Sequence, residues 1–442
     1  MGWLPMFRTA ETTSAPNLVS RSNSKKSVRL LVGPCFSQLL YHPNAFGFRV
    51  TGAGLSNSAV RTLLAFSDDQ LSAPSELAYH APSNLAERRD SASLIYITHP
   101  DFLDSVEPLK RLRESEGHSV VVVTIDQLFD AFNYGERSPF AIRDFLNQSH
   151  FHDPGKLQGV LFVGGASLDP RNYLGFGDFD FVPTRIIETP ALKTASDDWF
   201  SDFNESGFAT IPTGRLPVRT AAEAELVVDK IVRYEEGSDA GAWNNVAVLI
   251  ADDNLGSNFS VTTPVAATLL PPALKVTEIF AAGQGSDSVR AQILTALNNG
   301  SLIVNYNGHG STEQWSFSDL LDDSTAANLT NGGRMPVYFL RDCLNGFFQD
   351  VYTESLAESL LLAPDGGAVG VWASSGLTNA PPQAFLDQSL FRAISRNPGG
   401  SLGAAMLAAK LLVTDPDVRR TWILFGDPAL RLRWAADAGP HR

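Results

Sequence analysis

From residue 93 the chain repeats one local pattern: a short, almost wholly apolar run that stops at a polar or glycine turn, then a stretch with apolar residues at helical spacing. SLIYITHP is followed by Val106, Leu109 and Leu112, then come SVVVVTI, segments with helical character around 126–132 and 138–148, and GVLFVGG. A strand apolar on both faces must be covered on both faces, as parallel strands in α/β layers are. The alternation therefore predicts a doubly wound α/β layer. Residues 166–212 read as loops rich in acidic and aromatic side chains, and TAAEAELVVDKIVRYE (220–235) as an amphipathic helix. After the linker EEGSDAGAWNN a second series begins: VAVLIADD, LKVTEIF, a helix over 287–299 with Val289, Ile293 and Leu297 on one face, SLIVNYN, PVYFLRD, GAVGVWASS, and helices near 381–396 and 400–413. Two α/β subdomains are expected, 93–240 and 241–434, with a tail over 435–442. Residues 1–92 are expected to hold a polar tail, a short β-rich segment at 28–66 (VRLLVG, FGFRVTG, VRTLLAF) and a polar linker.

Composition removes several classes of function. The 442 residues carry 34 Lys+Arg against 48 Asp+Glu, a net charge of −14, and no basic stripe of the kind that binds nucleic acid. The only cysteines, Cys35 and Cys343, exclude a disulfide scaffold and a Cys-rich metal site. No apolar run reaches the roughly 18 residues of a membrane span. MGWLPMFRTAETTSAP lacks the basic start and apolar core of a signal peptide, so the chain reads as intracellular or as a piece of a longer exported protein.

Two strand ends concentrate the chemistry. Leu302–Tyr306 runs into Asn307-Gly308-His309-Gly310-Ser311, and Val337–Leu340 into Arg341-Asp342-Cys343-Leu344-Asn345-Gly346. The 34 residues from His309 to Cys343 include SFSDLLDDSTAANL, which reads as a helix and suits one strand–helix–strand crossover between parallel strands. Neighbouring strands lie about 4.8 Å apart, so their carboxyl ends would set imidazole and thiol side by side where open α/β sheets bind ligands. An imidazolium beside a thiol favours the thiolate, and the histidine can then protonate a leaving amine. The glycines flanking His309 would admit a substrate backbone, and the Gly310 and Cys343 amides could hold an oxyanion. Cys35 reads as packed or incidental, and a Cys35–Cys343 disulfide is not expected because it would remove the nucleophile.

With Asn-Gly-His-Gly after one apolar strand and Asp-Cys after the next, the sequence resembles the caspase-like clan CD of cysteine peptidases, which includes caspases, legumain, clostripain and gingipains. It most resembles the gingipain family, peptidase family C25. The resemblance covers about 93–432 and includes Tyr96-Ile-Thr-His99-Pro-Asp-Phe102, Ser196-Asp-Asp-Trp199, Gly214-Arg-Leu-Pro-Val218, Val304-Asn-Tyr-Asn-Gly-His-Gly310 and Phe425-Gly-Asp-Pro-Ala-Leu430. It implies a caspase-like three-layer α/β sandwich of two subdomains, preceded by the β-rich segment, with Cys343 and His309 as catalytic dyad. It also implies an acid from the first subdomain that orients the histidine, here Glu188, and an acid in the specificity pocket, here Asp197. Ser374 and Ser375, in the loop Ala373–Pro381, are expected to contact substrate. That loop has no aromatic residue where gingipains carry an aromatic pocket lid, which argues against specificity for Arg or Lys, whereas the acidic loops at 169–205 would favour basic substrates.

No cofactor is required by this reading and no catalytic metal is expected. A structural Ca²⁺ could sit at Gly175-Phe-Gly-Asp178 with Asp180. The partner implied is a peptide or protein substrate, with the protein extracellular or in the cell envelope as part of a longer precursor. Two competing readings use the same residues: a sortase-like transpeptidase of a secretion system, and a non-catalytic scaffold or binding protein on the caspase fold.

Overall fold

The computed structural model describes five strands within residues 18–67, Leu85, and residues 92–434 apart from 238 and 240. The chain divides into two compact units, 1–81 and 82–442. In the first unit β1 (Leu18–Ser20), β3 (His42–Asn44) and β4 (Gly47–Val50) form an antiparallel sheet in the order β1-β4-β3, and β2 (Val28–Val32) pairs antiparallel with β5 (Leu63–Ser67). Three of these strands fall on the alternating runs noted above. Cys35 and the tail 435–442 lie outside the described residues.

The second unit is built on one ten-stranded sheet. In chain order its strands and their companions are β6 (Leu94–Thr98), β7 (Val120–Thr124), β8 (Gly159–Val163), β9 (Arg185–Glu188), β10 (Lys193–Ser196), β11 (Thr213–Leu216), β12 (Val246–Ala251), β13 (Lys275–Phe280), β14 (Ile303–Asn307), β15 (Gln314–Trp315), β16 (Leu321–Asp322), β17 (Val337–Arg341), β18 (Gly370–Ser374) and β19 (Trp422–Phe425). The sheet order is β13-β12-β14-β17-β18-β19-β11-β8-β6-β7, while β9–β10 and β15–β16 are separate hairpins. Every neighbouring pair is parallel except β18–β19. The two halves of the sheet therefore run in opposite directions, and their carboxyl ends open on opposite edges.

Alternation along the strands shows why both faces need cover. On β6, Leu94 and Tyr96 join one hydrophobic core while Ile95 and Ile97 join another. The first core takes Leu109 of the helix Glu107–Ser115 and Val227 and Ile231 of Ala221–Glu236; the second takes Leu128 of Ile125–Asn133 and Ile142 and Phe145 of Pro139–His152. Each such buried side chain contributes about 1.5–3 kcal/mol of transfer free energy, which is what holds helices on both faces of the sheet. This is the three-layer sandwich the resemblance implied.

Two local expectations change. The segment SFSDLLDDSTAANL opens with the turn and second strand of the β15–β16 hairpin, with a helix only at Asp323–Ala327. Ser316 and Asp319 take left-handed backbone (φ 65° and 52°), which breaks a helix before it begins. The stretch 166–212 holds the β9–β10 hairpin and leads directly into β11, whose Arg215 side chain lies inside the protein.

Candidate active site

Three adjacent parallel strands, β12, β14 and β17, end on one edge and deliver Asp252, His309 and Cys343 there. Asn307 pairs with Arg341, so the two loops leave the sheet at the same level. They are then laced together. The Gly308 N–H donates to the Arg341 carbonyl at 3.2 Å, and the Asn345 amide donates to the Ser311 carbonyl at 2.6 Å and to the Gln314 carbonyl at 3.2 Å. A methyl group on Gly310 would meet the Asp342 carboxylate and the Cys343 carbonyl at 2.7 Å, and one on Gly308 would meet the Tyr306 hydroxyl at 2.1 Å. The glycines beside the histidine thus let the loop close onto its neighbours, where the sequence had suggested room for a substrate backbone.

Asp252 anchors the histidine loop. One of its oxygens accepts from the His309 N–H at 3.1 Å and lies 3.3 Å from the Tyr306 hydroxyl, and the other accepts from the Ser316 hydroxyl at 2.7 Å. The Tyr306 hydroxyl also donates to the His309 carbonyl at 2.8 Å, and its ring stacks on Trp315 at 4.3 Å. The His309 ring lies between Phe259 and Phe317, 5.3 and 4.9 Å away between centroids, with Nε2 2.6 Å from the Leu255 carbonyl. A carbonyl only accepts, so Nε2 carries a hydrogen and Nδ1 is the nitrogen left for chemistry.

The group that holds the imidazole here is thus the Leu255 carbonyl, where the resemblance implied Glu188. Glu188 stands exposed at the end of β9, paired with Lys193 at 3.2 Å. Asp197 departs from its expected place as well. It is buried, and its oxygens accept from Thr184 at 2.7 Å and from Arg215 at 2.6 and 2.9 Å, so they are held inside the protein rather than open to a basic side chain. Ser374 and Ser375 are fully buried. The Ser375 hydroxyl donates to the Ala195 carbonyl at 2.7 Å and that of Ser374 to the Gly376 carbonyl at 3.1 Å, so both fasten the turn after β18 instead of facing substrate. That turn is also where β10 docks: the Thr194 hydroxyl donates to the Ser375 carbonyl and receives the Gln349 amide at 3.1 Å.

Cys343 is half-buried, and burial pushes its thiol up from the ordinary value of 9.0; the neighbouring Asp342 adds to the rise. The sulfur lies 3.5 Å from the Thr378 carbonyl and 3.6 Å from the Gln383 amide nitrogen. Among the described residues no hydrogen bond joins it to the His309 ring. Leu344, just after it, takes left-handed backbone at φ 65°, a conformation that costs a bulky residue about 1–2 kcal/mol. The Leu344 N–H donates to the Gly376 carbonyl at 3.2 Å and its carbonyl accepts from Phe347 at 2.8 Å. Asp342 is buried with neither carboxyl oxygen hydrogen-bonded among the described residues, and burial, then the Asp252 charge, raise it well above 3.8.

Gly310 faces Trp315 across a bridge in which Ser311 donates to Gln314 and Ser316 to His309. That is the non-hydrogen-bonded kind of antiparallel pair, in which the N–H points away from the partner strand, so the Gly310 amide is directed outward. His99, at the end of β6, belongs to the other half of the sheet and therefore to its opposite edge; it packs on Phe102 and Phe181. The run considered for Ca²⁺ does not converge. Asp178 is exposed and 3.7 Å from Arg137, Asp180 is buried and accepts from the Ser167 N–H, and among the described residues no three acidic or metal-binding side chains gather.

The residues that sequence reasoning missed are Asp252, Leu255, Asn345, Thr378 and Gln383. Asp252 ends the run VAVLIADD, and its strand-end position on the same edge was the available signal. A backbone carbonyl such as that of Leu255 has no sequence signature.

Known proteins match the chain in sequence and in fold. The family model for peptidase family C25 matches residues 87–433. Gingipain R2 of Porphyromonas gingivalis is 25% identical over 316 residues, covering 66% of this chain and 40% of that protein. Gingipain R1 of the same organism is likewise 25% identical over 316 residues, or 30% of its length. The crystal structure of the Arg-specific cysteine proteinase gingipain R superposes with a TM-score of 0.64 at 20% identity, over 80% of each chain. The chain spans less than half the length of these curated relatives.

Proposed function

The chain belongs to peptidase family C25, and on that premise we propose that it is a cysteine endopeptidase acting through Cys343 and His309. The observation that carries the reading is the lacing of the two strand-end loops at one sheet edge, with the imidazole tautomer set by Leu255. In the reaction the thiol proton passes to His309 Nδ1 as sulfur attacks the scissile carbonyl carbon. The carbonyl oxygen becomes an oxyanion held by the Gly310 and Cys343 amides. When the C–N bond breaks, His309 returns the proton to the leaving amine, and water then hydrolyses the thioester.

The raised thiol means that the resting nucleophile is neutral and that proton transfer to His309 accompanies attack. Asp197 is engaged with Arg215 and Thr184, so any selection at the residue before the cleaved bond rests on other groups near Cys343. The substrate is a peptide or protein, no cofactor takes part, and an extracellular or cell-envelope setting belongs to the same reading. Among the described residues no helix is long and apolar enough to cross a membrane.

Cys343→Ala should abolish both cleavage of a peptide library and labelling by a thiol-alkylating peptide probe. Cleavage that survives the substitution overturns the reading. Supplying an amine acceptor separates hydrolysis from transpeptidation by the product formed.

A further inference from the structure

The amide of Gln383 is almost completely buried, in the first turn of the helix Ala380–Arg396, and belongs to none of the roles above. Its nitrogen is within reach of four groups: the Thr378 hydroxyl at 2.9 Å, the Thr378 carbonyl at 3.2 Å, the Asp342 carbonyl at 3.4 Å and the Cys343 sulfur at 3.6 Å. Two of the four are backbone carbonyls, which only accept, so the group facing them is the NH₂ end of the amide. An NH₂ has two hydrogens to share among these four neighbours.

We propose that Gln383 is a catalytic residue whose carboxamide holds the Cys343 sulfur and takes up its negative charge as the thiolate forms. In the resting state the thiol hydrogen can point at the Thr378 carbonyl, 3.5 Å from the sulfur. Once that proton has left for His309, the carbonyl becomes an unfavourable neighbour to a negative sulfur. Of these four neighbours the sulfur is then the one that bears a charge, and charge-assisted hydrogen bonds are about twice as strong as neutral ones. The shared hydrogen moves toward sulfur, so the interaction strengthens as the charge develops, which is the condition for accelerating the reaction rather than merely binding. Among the described residues the titratable group acting on the thiol is Asp342 from its own loop; the Thr378–Gln383 turn brings a neutral donor. The inference rests on reading Cys343 as the nucleophile.

The test is the rate of Cys343 alkylation by iodoacetamide as a function of pH, alongside peptidase kcat/KM, for the wild type and for Gln383→Leu and Gln383→Glu in the full chain. Both variants should shift the alkylation midpoint upward by about one pH unit or more, a tenfold loss of thiolate at neutral pH, with Gln383→Glu shifting it further. The rates should converge with wild type at high pH. Loss of packing alone would lower the melting temperature and leave the midpoint in place. An unshifted midpoint in a folded variant overturns the proposal, and if Gln383→Leu does not fold, Gln383→Met, which removes the donor without adding a charge, decides it. Cleavage by Cys343→Ala would instead overturn the peptidase reading, so the two failures are distinguishable.

Discussion

Asp197 and Asp342 are both buried, 1% and 0% exposed, and they sit in opposite situations. Asp197 serves the half of the sheet that carries β11. Its oxygens accept from Arg215 and Thr184, and Arg215 in turn donates to the Gly164 and Val182 carbonyls and lies between the rings of Phe162 and Phe348. Asp342 ends the half that carries the histidine and the thiol, and among the described residues neither of its oxygens has a partner. A buried charge with its hydrogen bonds met offsets much of its desolvation cost, whereas a buried acid with none met is a local cost that persists only where surrounding structure imposes it. The partnered half braces the site through β10 and Ser375. The unpartnered half holds the reacting groups.

Four substitutions would break or sharpen this contrast. The largest effect is expected at the reacting edge: His309→Ala should lower kcat by about 10²–10⁴-fold while the melting temperature changes little, read by peptide hydrolysis and thermal unfolding. At the bracing half, Arg215→Met should destabilise the protein by about 3–5 kcal/mol by leaving Asp197 buried and unpaired. Urea unfolding measures it, and a loss below about 1 kcal/mol would erase the distinction between the halves.

Asp342→Asn should act in the opposite direction. The folded chain raises the Asp342 carboxyl, so it binds this proton more tightly than the unfolded chain does. The resulting stabilisation is complete below the ordinary value of 3.8 and is lost as pH rises through the raised folded value. Asparagine removes that loss, so the variant should gain stability over wild type progressively as pH climbs above about 4, followed by melting temperature across pH. A gap that stays constant with pH contradicts the unpaired carboxyl. The smallest effect belongs to Glu188→Gln, which severs only an exposed pair with Lys193. Its kcat/KM should stay within about twofold of wild type, and a hundredfold loss would return the orienting role to Glu188 and take it from the Leu255 carbonyl.

Much of the fold was legible because the strands of both halves are apolar on both faces. β6, β7, β8, β12, β14, β17 and β18 fall within the apolar runs read from the sequence. β11 was not legible as a strand, because its Arg215 looks like a surface residue until Asp197 is seen to pair with it. The crossover helix between His309 and Cys343 was misread for a related reason. Leu320 and Leu321 are buried in a hairpin whose tight turns need left-handed backbone, and periodicity does not report that.

At the site, the strand-end positions of His309 and Cys343 followed from topology, and the common level at which their loops leave the sheet is a register fact: Asn307 stands opposite Arg341. The choice of acids did not follow. Glu188, Asp197, Asp252 and Asp342 are alike as letters, and which of them is exposed, paired, anchoring or orphaned depends on what folds against each.

Local composition determined which segments become strands, that they lie in a mostly parallel sheet, and that the histidine and cysteine leave it at one edge, because hydrophobic periodicity and chain connectivity act over short distances. Tertiary structure alone decided that the two halves run in opposite directions, that a leucine carbonyl orients the imidazole, that Asp197 is tied to Arg215 and that Gln383 reaches the sulfur. Each of these is a contact between residues distant along the chain or made by the backbone, and its energy depends on distance, burial and direction, which no residue carries by itself.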